Sequence, residues 1–120
     1  MGQVARAVKD IARAEAFYKD VLGLPHMYTF GRFAFFDCGG TRLFLEEDNG
    51  IEVPGLKNDS VLYFRVPEIN AAYDELQARG VSFTDAPHMI FKHPDGAEEW
   101  MAFSEDSEGG LLALMSQVRA

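Results

Sequence analysis

The chain of 120 residues has one cysteine, Cys38. That excludes an internal disulfide and any zinc cage built on several thiolates. With apolar neighbours and a turn beside it, Cys38 reads as an inert strand-end residue. Basic residues are also scarce, 11 against 19 acidic ones, for a net charge of −8. Such a field repels a phosphate backbone unless the cations are segregated, which they are not, so no nucleic-acid partner is expected. No segment approaches the ~18 uninterrupted apolar residues of a membrane span, so no membrane association is expected either. The opening Met1-Gly2-Gln3-Val4-Ala5-Arg6 lacks the apolar core of a secretion signal and the Ser or Thr of a myristoylation motif. The expected location is cytoplasmic. No spacing points to a Ser/His/Asp or Cys/His nucleophile, and Gly39-Gly40 and Gly109-Gly110 read as turns, not as phosphate cradles.

What remains is an ordinary globular composition, 48% hydrophobic and 25% charged. It suits one domain, or two small halves sharing a core. Gln3 to Val8 reads as a strand, and Asp10 as the cap of a helix whose apolar positions Ile11, Ala14, Phe17, Val21 and Leu22 recur at helical spacing until Gly23 stops it. Pro25 to Phe30, Phe33 to Asp37 and Arg42 to Glu46 read as three short strands. Glu47 to Asp59, rich in turn residues, reads as a connecting loop. The pattern then starts again. Ser60 to Val66 is a strand, and Glu68 to Arg79 a helix with Ile69, Ala72, Tyr73 and Leu76 inward, terminated by Gly80. Val81 to Thr84 and Met89 to Phe91 read as one interrupted strand, followed by strands at Glu98 to Phe103 and Leu111 to Ser116.

Register supports a duplication. Val8-Lys9-Asp10-Ile11 superposes on Val66-Pro67-Glu68-Ile69, and Asp37 with Gly40 to Leu45 superposes on Asp106 with Gly109 to Leu114. The expectation is one α+β domain over residues 1–120, made of two βαβββ modules, about 2–48 and about 59–117, forming a curved mixed sheet around a cleft. Strand parity puts Val4, Val8, Leu43, Leu45, Leu62, Phe64, Val66, Met101, Phe103, Leu112 and Leu114 under the helices. It turns Gln3, Ala5, Ala7, Phe44, Glu46, Val61, Tyr63, Arg65, Trp100, Ala102, Ala113 and Met115 toward the concave side. Arg6 falls on the core side, which parity does not explain.

The paired modules, the stretch Phe17-Tyr18-Lys19-Asp20-Val21-Leu22-Gly23-Leu24 and the turn Phe103-Ser104-Glu105-Asp106-Ser107-Glu108-Gly109 resemble the vicinal oxygen chelate superfamily of glyoxalases, bleomycin-resistance proteins and dioxygenases. The resemblance spans essentially the whole chain. It implies the glyoxalase/bleomycin-resistance fold, and in the metal-dependent members one divalent ion held by four equivalent strand positions, which here are Gln3, Phe44, Val61 and Ala113. Only Gln3 carries a donor, and one carboxamide oxygen does not hold an ion against water, so no metal or other cofactor is expected. The resemblance also implies a homodimer.

The expected function is metal-independent binding of an apolar or aromatic small molecule, similar to bleomycin-resistance-type sequestration. Gln3, Phe44, Glu46, Tyr63, Arg65 and Trp100 are the candidate ligand-binding residues, and no catalytic residue is assigned. Flat faces at Phe44, Tyr63 and Trp100 suit stacking, and Arg65 and Glu46 supply polar ends. Each has a plainer reading: the rings fill the barrel or close a dimer, Arg65 pairs with Glu46 or Glu98, and Gln3 starts a strand. The alternative function is a glyoxalase- or dioxygenase-like lyase or isomerase. It would use either a displaced metal among His88, His93, Glu98 and Glu99 or acid–base chemistry from Glu46, Glu98 and Tyr63.

Overall fold

Both helices start the same way. Asp10 Oδ1 accepts from the Arg13 N–H (3.0 Å), and Glu68 Oε1 from the Asn70 N–H (3.2 Å), each from an extended residue that satisfies a donor the first turn leaves free. In the computed structural model, which describes residues 1–48 and 60–119, α1 (Ile11–Ala16) and α2 (Ile69–Ala78) follow these caps. Gly23 and Gly80, at φ +76° and +93°, end the two helical stretches in the left-handed region that a side chain disfavours.

The chain divides into two compact units, Met1–Asp59 and Ser60–Ala120. In the first, β1 (Gln3–Val8), β2 (His26–Phe30), β3 (Phe33–Cys38) and β4 (Thr41–Glu47) form a sheet ordered β1-β4-β3-β2. β1 runs parallel to β4, and the other pairs are antiparallel. In the second, β5 (Leu62–Arg65) lies parallel to β9 (Leu111–Val118), which pairs with β8 (Glu98–Glu105). β6 (Ser82–Phe83) and β7 (His88–Lys92) pair with opposite ends of β8. The two units therefore share one βαβββ plan, and the fold is mixed α+β. Of the loop expected over Glu47–Asp59, Glu47 closes β4, and residues 49–59 lie outside the described residues.

The helical stretch from Asp10 is not uniform. After Ala16 it continues as a π turn over Phe17–Val21, closed by the Leu22 N–H donating to the Phe17 carbonyl (3.0 Å). Helical spacing alone did not distinguish this wider turn from an α-helix. It carries Tyr18, fully buried, whose ring lies 5.9 Å from that of Phe36. The Tyr18 hydroxyl accepts from Arg6 Nη1 (3.3 Å). Arg6 is thus on the core side as parity requires, and its guanidinium is tolerated there because it donates to the Tyr18 hydroxyl.

In the second unit Ile69, Ala102 and Leu114 form the centre of the core, with Phe64, Leu76 and Trp100 packed against it. This corrects one face assignment. Register places Phe103 beside Ala113 and Met101 beside Met115, so these residues share the open face with Tyr63 and Arg65. Trp100 and Ala102 lie under α2. The inversion has a physical cause: Trp100-Met101-Ala102-Phe103 is apolar at both parities, and the close approach of helix to sheet selects the small Ala102. No helix among the described residues is long and apolar enough to cross a membrane.

Candidate functional site

The open face of the first unit, opposite α1, is an aromatic row. Cross-strand register aligns Tyr28 with Phe35 and Phe35 with Phe44, and puts Phe33 beside Glu46. The rings stack in sequence: Tyr28 on Phe35 (4.6 Å), Phe35 on Phe44 (4.9 Å) and Phe44 on Phe33 (5.5 Å). Two guanidinium groups border the row, Arg42 at 5.1 Å from the Phe35 centroid and Arg32 at 5.3 Å from that of Phe33. Gln3 Oε1 accepts from Arg42 Nε (2.6 Å), and Glu46 pairs with Arg32 (3.7 Å). Gln3, Phe44 and Glu46 thus share one face, while the other rings of the row, Tyr28, Phe33 and Phe35, were not singled out from sequence. The alternation of Phe33 and Phe35 against Ala34 and Phe36 was the signal available.

The open face of the second unit is more polar. Tyr63 is half-exposed, and its ring meets Phe103 edge-on at 6.1 Å. Further along lies a cleft of about 440 Å³ lined by Arg65, Val66, Pro67, Glu99, Met115 and Gln117. Glu99 Oε2 accepts from Gln117 Nε2 (2.8 Å) and lies 2.8 Å from His93 Nε2. The Gln117 and His93 hydrogen bonds, and then the charges of His93 and Arg65, hold the Glu99 carboxyl below its ordinary value of 4.5.

Both carboxylates considered for Arg65 have other partners. Glu46 belongs to the first unit and pairs with Arg32, while Glu98 accepts from the Trp100 indole Nε1 (2.9 Å) on the helix side. Trp100, a candidate ligand contact, is a core residue on the face away from Tyr63 and Arg65. Strand parity alone would set His88 and His93 on opposite faces. A bulge in β7 between Met89 and Phe91 inserts one residue, so His88 pairs with Met101 and Phe91 with Glu99, both open-face positions, and His93 reaches Glu99.

The family model for the glyoxalase/bleomycin resistance protein/dioxygenase superfamily matches residues 1–98. The chain belongs to this superfamily. A curated relative, the uncharacterized protein YraH of Bacillus subtilis (strain 168), is 31% identical over 98 residues, 72% of this chain and 77% of the relative. Among solved structures, a superfamily member from Sphaerobacter thermophilus is similar at 25% identity and TM-score 0.75, covering 97% of this chain and 95% of that one. A lactoylglutathione lyase from Agrobacterium tumefaciens is similar at 22% identity and TM-score 0.74, covering 97% and 92%, a likeness that concerns the fold alone.

The divalent ion used by metal-dependent superfamily members does not fit the donor set here. Of the four equivalent positions, Phe44 is occupied by ring stacking, Ala113 and Val61 offer no donor, and the Gln3 carboxamide oxygen is engaged by Arg42. Among the described residues, no group of three or more His, Cys, Asp or Glu side chains is placed to hold a metal ion. His88 instead faces Asp85 (3.4 Å), and His93 faces Glu99.

Proposed function

We propose that this superfamily member binds a small, flat, apolar or aromatic molecule without a metal ion, in the manner of bleomycin-resistance-type sequestration. The observation that carries the reading is the stacked row Tyr28-Phe35-Phe44-Phe33 on a sheet face that α1 does not cover. The rings of Phe36 and Tyr18, by contrast, are fully buried against each other between sheet and helical stretch. A row left on the opposite face, with Tyr28 half-exposed and cations at its border, offers a flat surface for stacking and directional groups for orientation. Gln3, Phe44 and Glu46 contribute on this face, and Tyr63 and Arg65 on that of the second unit.

Thermal-shift screening of a panel of planar aromatic compounds tests this, because a ligand that binds only the folded state raises its midpoint by mass action. The expected result is at least one hit whose affinity falls roughly tenfold in Phe44→Ala, the ~1.4 kcal/mol that lost stacking supplies. A panel with no hit, or a hit indifferent to Phe44→Ala, refutes the reading. A second reading, metal-free proton transfer, is favoured by the 2.8 Å contact between His93 and Glu99. It requires turnover of a bound compound that His93→Gln abolishes while binding is retained.

A further inference from the structure

On the open face of the second unit, two opposite charges flank the cleft without pairing with each other. Arg65 makes no hydrogen bond or ion pair among the described residues. Glu99 is asymmetric: Oε2 takes both donors, from Gln117 and His93, and Oε1 takes none among the described residues. Register explains why they stay apart. Arg65 pairs across β9 with Met115, and Glu99 pairs with Gln117, one strand farther over and two residues farther along. From strand spacings, their Cα atoms lie about 12 Å apart. Met115 and Gln117 line the space between them, and Tyr63, Met101 and Phe103 continue the same face as an apolar surface.

We infer that this face recognises a small zwitterion with an apolar body, an α-amino-acid-type ligand whose carboxylate meets the Arg65 guanidinium and whose ammonium meets Glu99 Oε1. This rests on the binding reading above and specifies its ligand class. The charges select by elimination. A ligand with only an anionic group would gain Arg65 but face the Glu99 carboxylate, and one with only a cationic group would gain Glu99 but face Arg65. A polyanion would also meet the net charge of −8. A head group carrying both charges satisfies both groups and stays neutral overall. The guanidinium fork suits a carboxylate in two parallel hydrogen bonds, and a carboxylate oxygen accepts well from an ammonium. A cleft of about 440 Å³ is within the range of small-ligand sites.

The probes are L-phenylalanine, phenethylamine, which lacks the carboxylate, and N-acetyl-L-phenylalanine, which lacks the ammonium. Each is titrated by calorimetry into wild type, Arg65→Gln and Glu99→Gln, all checked for folding by circular dichroism. L-Phenylalanine is expected to bind at least about tenfold tighter than either half-ligand, by the ~1.4 kcal/mol of one charge-assisted contact. Arg65→Gln should lower it to the level of phenethylamine, and Glu99→Gln to that of N-acetyl-L-phenylalanine. Arg65→Lys, which keeps the charge and loses the fork, should retain part of the affinity. Equal binding of all three probes, or variants that bind L-phenylalanine like wild type, overturns the inference. So does wild type that binds none of the three. In each of those cases a planar hit sensitive to Phe44→Ala leaves the broader binding reading standing.

Discussion

Truncating Trp100 tests the face assignment on which the site depends. The indole packs against Ile69, Ala102 and Leu114 under α2, and its Nε1 donates to Glu98 (2.9 Å). Replacing a core tryptophan by alanine costs about 3–5 kcal/mol, and partial burial places Trp100 near the lower bound. The lost indole hydrogen bond adds about 0.5–1.5 kcal/mol. Trp100→Ala is therefore expected to lose about 3.5–4.5 kcal/mol, a fall in melting temperature of roughly 14–18 °C at about 4 °C per kcal/mol for a chain of this size. Trp100→Phe keeps most of the apolar contact and should lose about 1–2 kcal/mol. Trp100 is the only tryptophan, so its fluorescence disappears in both variants, and far-UV circular dichroism in urea is the suitable assay. Affinity for a ligand of the open face should be unchanged at temperatures where the variant is folded. A loss below about 1 kcal/mol, or ligand affinity that falls with the indole, would return Trp100 to the open face and refute the register argument.

Two further outcomes follow from the titrating groups. Glu99 is held ionised below its ordinary 4.5, so its contribution to stability is complete above that value and is lost as pH falls through the lower folded value. Glu99→Gln should therefore flatten the acid limb of stability against pH, measured as urea midpoints; an unchanged slope would show that the Gln117 and His93 bonds do not form in solution. Burial, and then the neighbouring Asp37 charge, raises the Cys38 thiol above its ordinary 9.0, so near neutral pH the native chain should react with a disulfide reagent more slowly than the unfolded chain. Equal rates would contradict the burial.

Most of the architecture was legible because local chemistry and the duplication agree. Asp10 and Glu68 announce helix starts, Gly23 and Gly80 announce stops, and the same Asp-to-Gly turn precedes β4 and β9. Parity then resolved faces wherever one side of a strand is polar or small, as in Gln3, Ala5 and Ala7 against Val4 and Val8. It failed on β8, where both sides are apolar, and on β7, where an inserted residue reverses the alternation after Met89. The π turn at Phe17–Val21 has no separate signature in a pattern of apolar spacing. The Glu99 cluster was hidden for a different reason. Glu98 and Glu99 are adjacent and chemically alike, and only the register with Gln117 decides which of them faces the cleft.

The two open faces diverged by exchanging volume across equivalent positions. In the first unit one cross-strand row reads Ala5-Phe44-Phe35, and in the second the corresponding row reads Tyr63-Ala113-Phe103. The large side chain moves from the central strand to its neighbour, and the small one moves the other way. On β4 the central ring of Phe44 closes the row into a continuous stack with Phe35 and Phe33. On β9 the central residue is the buried Ala113, and the rings of its two cross-strand neighbours, Tyr63 and Phe103, meet edge-on at 6.1 Å. One shared topology thus carries a flat platform in the first unit and, around Arg65, Met115 and Gln117, a hollow with charged ends in the second. One of these exchanges, Phe44 against Ala113, falls at positions where a metal-dependent relative places an ion ligand; the other, Ala5 against Tyr63, lies two residues along the chain from Gln3 and Val61. A ring that stacks at Phe44 and a buried methyl group at Ala113 supply packing contact where coordination would need lone pairs, so the side chains that shape the two faces there are also the ones that leave an ion without donors.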